Sequence, residues 1–531
     1  MKDMKGRFLL TQAITQHAEH SPDQEAARVG GESLTYAALE TKSNQLARKL
    51  VELGVGRGDR VGIFMNKNLT SAVAIYGIMK AGGAYVPLDP FAPVARIAYV
   101  IQDCGIRHIV TRADKTESIS EILTGETGLS YLLGLDEGSD LPAHTVSWAE
   151  ITNSDPNALD LHLTEQDLAY ILYTSGSTGV PKGIMHTHRS GLSFAEWAVD
   201  TYGLSEKDRV SNHAPLHFDL STFDYFATAI AGGTTVIIPE ALTKFPANLS
   251  RLIEQEKITV WYSVPFALIQ LMDHGGIDTR NLEALRWILF AGEVFPTKHL
   301  RRLMSMLPAI RFSNLYGPTE TNVCTYYHVP RLPTDNDETI PIGVPCSNVE
   351  DLVVDSEDRQ VAPGEVGELL IRGGVVMKGY WGQPDKTLAG FYRRKTLGYF
   401  EDIFYRTGDL VQLDSEGNYL YLGRKDRQIK TRGYRVELDE VEVALLSFKA
   451  VEEAAAYPVP DGQGSNLIEA SVTAKDGFNL VQAELVEHIS RKLPPYAIPV
   501  KIDILQVFPR TSTGKINRRE LQELAVERRA L

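Results

Sequence analysis

Through the first third of the chain, helical and strand-like patterns alternate, and that alternation restricts the fold more than any other feature. Leu39, Leu46, Leu50 and Leu53 fall on one helical face, and Gly54 follows as a stop. Residues 60–65 (RVGIFM) then form an apolar run with strand character. Residues 69–80 follow as a helix, 84–88 (AYVPL) as a strand, 97–103 as a helix and 107–110 (RHIV) as a strand. Strands separated by helix-length segments pair in parallel, with the helices packed on the sheet faces. From about residue 330 the pattern loosens; VGELLI at 366–371 and YLYL at 419–422 read as strands of a more antiparallel part. After Gly423 the chain becomes charge-rich (RKDRQIK, 424–430), which marks a boundary. Helices over 440–446 and 482–493 and a strand over 468–472 are expected beyond it. The 531 residues exceed what one hydrophobic core serves. The expected architecture is α/β. A core domain, 1–425, carries parallel sheets flanked by helices plus a smaller β-rich part, and a small α+β domain, 426–531, follows.

Bulk composition narrows the function. A hydrophobic content of 43% and a charged content of 23% are those of an ordinary globular protein. The net charge, 54 − 68 = −14, disfavours a broad nucleic-acid surface but leaves room for a local nucleotide site. Cys104, Cys324 and Cys346 form no CxxC pair and suggest no disulfide framework, which fits a reducing compartment. No signal peptide opens the chain and no segment reaches the length of a membrane span, so a cytoplasmic enzyme with no membrane partner is expected.

The run YTSGSTGVPKG, 173–183, follows the apolar strand-like segment 168–173. Glycines let backbone N–H groups approach an anion, hydroxyls add donors and Lys182 adds a charge suited to a polyphosphate. The run is not a Walker A loop, because Pro181-Lys182-Gly183 replaces the Gly-Lys-Ser/Thr ending. Taken alone it also suits a flexible linker.

Its companions decide between the two. MKAGGAYVPLD at 79–89, FDLS at 218–221, NLYGPTE at 314–320, GEL at 367–369, YRTGDL at 405–410 and GRKD at 423–426 follow in order. LPPYAIP at 493–499 and TGKINR at 513–518 close the series. This ordered set resembles the adenylation domains of nonribosomal peptide synthetases, within the adenylate-forming superfamily of acyl-CoA synthetases and luciferases. The resemblance spans nearly the whole chain. It implies that a carboxylate attacks the α-phosphate of ATP, and that a thiol then attacks the acyl-adenylate. It also implies that the small domain is mobile, swinging about Asp426 between the two steps.

The resemblance gives each motif residue a role. Thr174, Ser175, Gly176, Ser177, Thr178 and Lys182 would hold the ATP phosphates. Gly292 and Glu293 would line the adenine site, with Asn314 at the ring edge, Tyr316 as a stacking face and Gly317 beside it. Asp409 and Arg424 would hold the ribose. Thr319 would contact the α-phosphate, and Glu320 would take a magnesium ion together with phosphate oxygens. Lys515 would reach the substrate carboxylate and the ATP oxygens as the main catalytic charge. His217 would stand beside the acyl phosphate, and Asp219 would pair with an α-ammonium. A metal-dependent hydrolase using His213, His217 and Asp219 is the alternative from another class. A coenzyme A ligase is the nearer rival, and a non-enzymatic binding module would have lacked Lys515 or Asp409.

Carried over by position, the substrate pocket comprises Asp219, Leu220, Phe223, Tyr262, Leu289, Ala291, Leu315, Val323 and Cys324, closed by Lys515. The lining is apolar apart from the two end charges, so charged substrate side chains are disfavoured. Phe223 and Tyr262 narrow the space against Phe or Trp. The set resembles that of stand-alone prolyl-carrier-protein ligases of pyrrole and anatoxin-type pathways, which implies L-proline, with valine and isoleucine next. No carrier signature or condensation motif follows Lys515. A separate peptidyl carrier protein, supplying its phosphopantetheine thiol, is therefore the expected partner. Arg518, Arg519, Arg528 and Arg529 are candidates for a basic patch that meets it.

Overall fold

The computed structural model describes residues 6–136, 141–176, 180–335, 338–511 and 515–530. Two large sheets dominate the first part. One runs Val344–Pro345, Thr325–Val329, Arg311–Tyr316, Trp287–Ala291, Val260–Ser263, Arg209–Asn212, Thr234–Ile237, Glu25–Val29, Glu32–Thr35. Its central pairs are parallel and its edges antiparallel. The other runs Gly379–Tyr380, Lys182–Thr187, Leu168–Thr174, Ala84–Pro87, Arg60–Phe64, His108–Thr111, Tyr131–Leu133, His144–Val146, and is parallel except for the pairs made by Lys182–Thr187. The parallel sheets expected from the alternating pattern are therefore present.

The intervening helices form where the apolar spacing places them. Tyr36–Glu52 buries Leu39, Leu46 and Leu50 and starts at Thr35, whose side chain accepts from the Ala38 N–H. Leu69–Lys80 starts with a capping box between Asn68 and Ser71. This helix is apolar all round and buried on nearly every side, as a helix sandwiched between two sheets must be. An antiparallel sheet built from Val349–Val354, Gly367–Gly373, Phe391–Thr396, Phe400–Leu413 and Tyr419–Arg424 follows.

Beyond it, the hairpin Gln428–Thr431/Tyr434–Glu437 leads to a three-stranded sheet of Val451–Pro460, Asn466–Ala474 and Lys501–Leu505. The helices Leu438–Leu446 and Gln482–Ser490 pack with it around an apolar core of their own that includes Val441, Leu445, Val472 and Leu485. The sequence pattern missed the hairpin, the strand Val451–Pro460 and the final helix Arg518–Ala530.

In the parallel core the strand ends matter most. Arg209–Asn212, Val260–Ser263, Trp287–Ala291 and Arg311–Tyr316 run the same way, so their carboxyl ends share one edge of the sheet. That edge is where open α/β sheets bind ligands. The packing beneath sets its rigidity. Leu46 is fully buried in the largest apolar cluster. Leu46→Ala should cost about 2–5 kcal/mol and lower the thermal midpoint; an unchanged midpoint would show that this helix contact does not carry the core.

Candidate active site

The glycine-rich run joins two paired strands, with Thr174 opposite Lys182. A Cβ on Gly176 would lie 2.0 Å from the Val180 carbonyl oxygen, so only glycine fits that crossing. Ser177 and Thr178 lie outside the described residues. Lys182 points across to the other sheet, where Glu320 follows the strand Arg311–Tyr316. A Cβ on Gly317 would meet the Asn322 carbonyl oxygen at 1.6 Å, so this turn also closes only over a glycine. His186 fastens the turn from the side: its Nε2 lies 2.9 Å from the Thr319 carbonyl oxygen.

Glu320 is completely buried, and three donors meet its carboxylate. Lys182 Nζ donates to Oε1 at 3.1 Å and the Tyr380 hydroxyl at 2.9 Å. Arg435 Nη1 lies 3.2 Å from Oε1 and 2.9 Å from Oε2. Burial alone would push this carboxyl up; the charges of Arg435 and Lys182 overcome it and hold Glu320 well below the usual range. Burial, reinforced by Arg435 and opposed by Glu320, brings Lys182 down to about 8. In this domain arrangement Lys182 and Arg435 set two cations against the carboxylate at which a magnesium ion is expected. The sequence reading missed Arg435, which comes from the small domain.

Beside this cluster lies a cavity of about 510 Å³ lined by Gly292, Glu293, Asn314, Tyr316, Asp409 and Arg424 among others. The Tyr316 hydroxyl donates to Asp409. Arg424 Nη1 reaches the other Asp409 oxygen at 2.8 Å, and the same guanidinium grips Asp426 through two contacts of 2.6 Å. Burial pushes the Asp409 carboxyl up, against the pull of Arg424. The Asn314 amide N–H donates to the Pro341 carbonyl at 2.8 Å, which ties that donor to the backbone. Glu293 accepts from the Gly433 N–H at 2.6 Å and the Ser465 hydroxyl at 2.8 Å, so it links the two domains.

A second cavity, of only about 60 Å³, is lined by Asp219, Leu220, Tyr262, Ala291, Val323, His217, Thr319 and Lys430 among others. Four of the expected pocket residues do not line it. Phe223 is buried behind Tyr262, with ring centroids 5.3 Å apart. Leu289 sits two residues before Ala291 on the same strand, one pleat deeper. Leu315 faces the larger cavity. Cys324 follows Val323 and turns the opposite way, into a separate apolar cluster with Ile342 and Leu369.

Lys515 also lies away from both cavities. It is exposed, on a turn where its N–H donates to the Thr511 hydroxyl at 3.2 Å. The buried cation beside Asp219 is Lys430 instead. Burial pushes the Asp219 carboxyl up, while Lys430 and a hydrogen bond from Thr319 oppose the rise. Lys430 and Arg435 are direct cross-strand partners in the hairpin, so they project from one face.

A third cavity, of about 630 Å³, runs between the domains past Asp89, Phe91, Arg432 and His213. It shares His217, Phe218, Tyr434 and Tyr496 with the small cavity. Burial lowers the affinity of His217 for a proton, and its Nε2, 3.7 Å from Asp89, has no hydrogen-bond partner among the described residues. His213, His217 and Asp219 form no metal-holding cluster; among the described residues no group of three or more His, Cys, Asp or Glu does. The arginines expected to form a basic patch are each paired with an acidic neighbour. Arg528 and Arg529 pair with Glu469, Arg518 with Glu442 and Arg519 with Glu523. No helix among the described residues is long and apolar enough to cross a membrane.

Residues 14–381 match the family model for AMP-binding enzymes, and 440–515 match that for the AMP-binding enzyme C-terminal domain. An L-proline–(L-prolyl-carrier protein) ligase of Pseudomonas fluorescens is 35% identical over 511 residues, covering 96% of this chain and 98% of that one. A ligase of the same name from Streptomyces coelicolor is 35% identical, covering 96% of each chain. Among solved structures, the amide bond synthetase McbA from Marinactinospora thermotolerans superposes with a TM-score of 0.83 at 23% identity, over 97% of this chain and 99% of that one. The likeness to that structure concerns the fold alone. By the extent of the family matches and the length of the shared sequence, the chain belongs to the family of AMP-binding enzymes.

Proposed function

We propose that this protein uses ATP to convert L-proline to prolyl-adenylate and then transfers the prolyl group to the phosphopantetheine thiol of a separate peptidyl carrier protein. The observation that carries the reading is the meeting of three cavities. The small one shares Gly292, Gly317, Lys430 and Arg435 with the 510 Å³ cavity, and His217, Phe218, Leu220, Tyr434 and Tyr496 with the 630 Å³ one. A two-step acyl transfer needs such a junction, because nucleotide and thiol must reach one carbonyl from different sides. The names of the relatives at 35% identity support proline and a carrier protein.

In this reading the core is 1–425 and the lid 426–531, a division that the separate apolar core of the lid supports. Tyr316, Asn314 and Glu293 receive adenine, and Asp409 with Arg424 receives the ribose. The glycine-rich run, Lys182 and Thr319 receive the phosphates. Asp219 takes the substrate ammonium, which relieves the burial that otherwise pushes its carboxyl up. The substrate carboxylate attacks the α-phosphorus and pyrophosphate leaves. Lys515 serves that step once the lid has turned about Asp426, since in the present arrangement it is exposed.

The carrier's thiol arm then enters by the 630 Å³ cavity. His217, held uncharged by burial, stands at the junction and takes the thiol proton as sulfur attacks the carbonyl and AMP leaves. The apolar wall of the small cavity, closed by Tyr262 with Phe223 behind it, favours a compact apolar side chain. The three cysteines are free and buried, in keeping with a reducing, cytoplasmic setting.

ATP–pyrophosphate exchange with magnesium, across the amino acids and a few fatty and aryl acids, tests the reading. L-Proline should drive it, and Lys515→Ala should lower it by about 100-fold or more. Exchange with another apolar amino acid would sink proline alone; exchange only with non-amino acids would overturn the role of Asp219. Phe223→Ala removes the support behind Tyr262 and should admit bulkier apolar substrates. A pocket separates apolar neighbours by only about 1–3 kcal/mol per methylene, so the gain should be visible as new exchange activity with leucine or phenylalanine. An unchanged profile would remove Phe223 from the pocket.

A further inference from the structure

One buried lysine holds the segment that carries His217 and Asp219. Lys67, only 4% exposed, lies two residues before the helix Leu69–Lys80. Its Nζ donates to the carbonyl oxygens of Asn212, His213 and Ala214 at 2.8, 2.9 and 3.0 Å. An ammonium has three donors, and three successive carbonyls use them; an amide side chain falls one donor short. The Lys67 N–H donates to Glu240 Oε1 at 2.9 Å, so its backbone is anchored as well. Burying such a charge is costly unless its hydrogen bonds are made.

Asn212 passes the hold on. It ends the strand Arg209–Asn212 and is fully buried. Its Nδ2 donates to the Ala214 carbonyl at 3.2 Å and to Asp224 Oδ2 at 2.9 Å, and its Oδ1 accepts from the Tyr225 hydroxyl at 3.3 Å. Asp224 and Tyr225 lie in the π-helical turn Phe223–Ala227, whose Phe223 backs Tyr262. Turns of this kind recur at functional sites. Tyr76, on the helix that follows Lys67, donates to the Tyr225 carbonyl at 3.0 Å. Between these anchors the segment is tied into the first helical turn. Ser221 Oγ donates to the Phe218 carbonyl and Thr222 Oγ1 to that of Asp219, both at 2.6 Å. Residues 212–227 thus form one piece, set in place by Lys67 and Tyr76. Lys67, Tyr76, Asn212 and Tyr225 are not among the described residues that line the three cavities.

We infer that Lys67 is a positioning residue for amino-acid selection: its ammonium fixes the span from the Asp219 carboxylate to the wall of Tyr262 and Phe223, and so the length of substrate that the small cavity accepts. The inference rests on the two-step reading and deepens it by separating two kinds of fit. Glu293, Asn314, Asp409 and Arg424, around the larger cavity, belong to other segments, so loosening residues 212–227 leaves them in place. The amino acid alone should feel the loss of Lys67.

ATP–pyrophosphate exchange kinetics on the full chain test this. Lys67→Met keeps an unbranched side chain and removes all three donors. Its KM for L-proline should rise about tenfold, as the loss of charged hydrogen bonds implies. Its KM for ATP should stay within about twofold of the unaltered value, and leucine should gain exchange relative to proline. Lys67→Arg, which keeps a cationic donor, should fall between Lys67→Met and the unaltered protein. Tyr225→Phe removes only the hydroxyl on Asn212 and should raise the proline KM about twofold with the ATP KM unmoved. A proline KM unchanged in Lys67→Met, or an equal rise in both constants, would overturn the inference. Should Lys67→Met fail to fold, judged by its thermal midpoint, Lys67→Arg and Tyr225→Phe decide: a rise for proline alone supports the role of Lys67, and unchanged or parallel constants overturn it. Exchange by the unaltered protein separates the two failures. Its absence with every carboxylate sinks the two-step reading and this inference with it, whereas exchange with a proline KM indifferent to Lys67 sinks the role of Lys67 alone.

Discussion

A carboxylate stripped of water is tolerable only beside compensating charge, and Glu320 sets that condition for everything around it. Its burial is complete, so Lys182, Arg435 and the Tyr380 hydroxyl together replace its hydration. The three donors bind one another into a single structure. The strand Lys182–Thr187 must lie against the turn after Arg311–Tyr316, and the lid hairpin must lie against both. Lys430 and Arg435, as cross-strand neighbours of like charge, would repel in isolation. They persist because Glu320, Asp219 and Asp409 surround them with negative charge. The hairpin is thus stable in this position because of the cleft, and the cleft carboxylates are stable because of the hairpin.

The parallel sheets explain why so many cavity-lining residues converge. Asn212, Ser263, Ala291 and Tyr316 end four strands that run together, and the segments after them contribute His217, Asp219, Gly292 and Thr319. The backbone at those ends has no further sheet partner, so turns and side chains must satisfy it. Lys67 does so for one of them: its buried Nζ donates to the carbonyls of Asn212, His213 and Ala214 at 2.8, 2.9 and 3.0 Å. A loop fixed by three such bonds delivers His217 and Asp219 to a defined place rather than to a mobile one.

What could be read in the sequence follows from this geometry. Leu69–Lys80, the strand Arg60–Phe64 and the helix Leu438–Leu446 are local patterns, and local patterns survive in the sequence. The motif residues Tyr316, Asp409, Arg424 and Asp219 could be singled out because each belongs to a short motif with recognisable neighbours, although Tyr316, Asp409 and Arg424 lie on strands. Lys430 and Arg435 could not, since a charge-rich stretch reads as a solvent face. Their signal was present in another form: QIKT and YRVE are separated by Arg432-Gly433, both at positive φ, the mark of a two-residue hairpin. Val323 and Cys324 are neighbours in the sequence but part in the fold, Val323 lining the small cavity and Cys324 packing with Ile342 and Leu369.

Arg424 ties the Asp409 carboxylate to the start of the proposed lid. One guanidinium holds Asp409 at 2.8 Å in the nucleotide-sized cavity and Asp426 at 2.6 Å at the domain boundary. Asp426 also accepts from the Gln428 N–H at 3.2 Å, which sets the start of the hairpin. One guanidinium thus serves two carboxylates, and any group that draws on Asp409 alters what Arg424 has left to give Asp426. Lys515 and Arg435 belong to the same lid, yet in this arrangement one is exposed and the other is buried against Glu320. Under the proposed function such a lid presents its two cations in turn, and Arg424 ties the proposed boundary at Asp426 to the cavity that the proposal gives to the nucleotide.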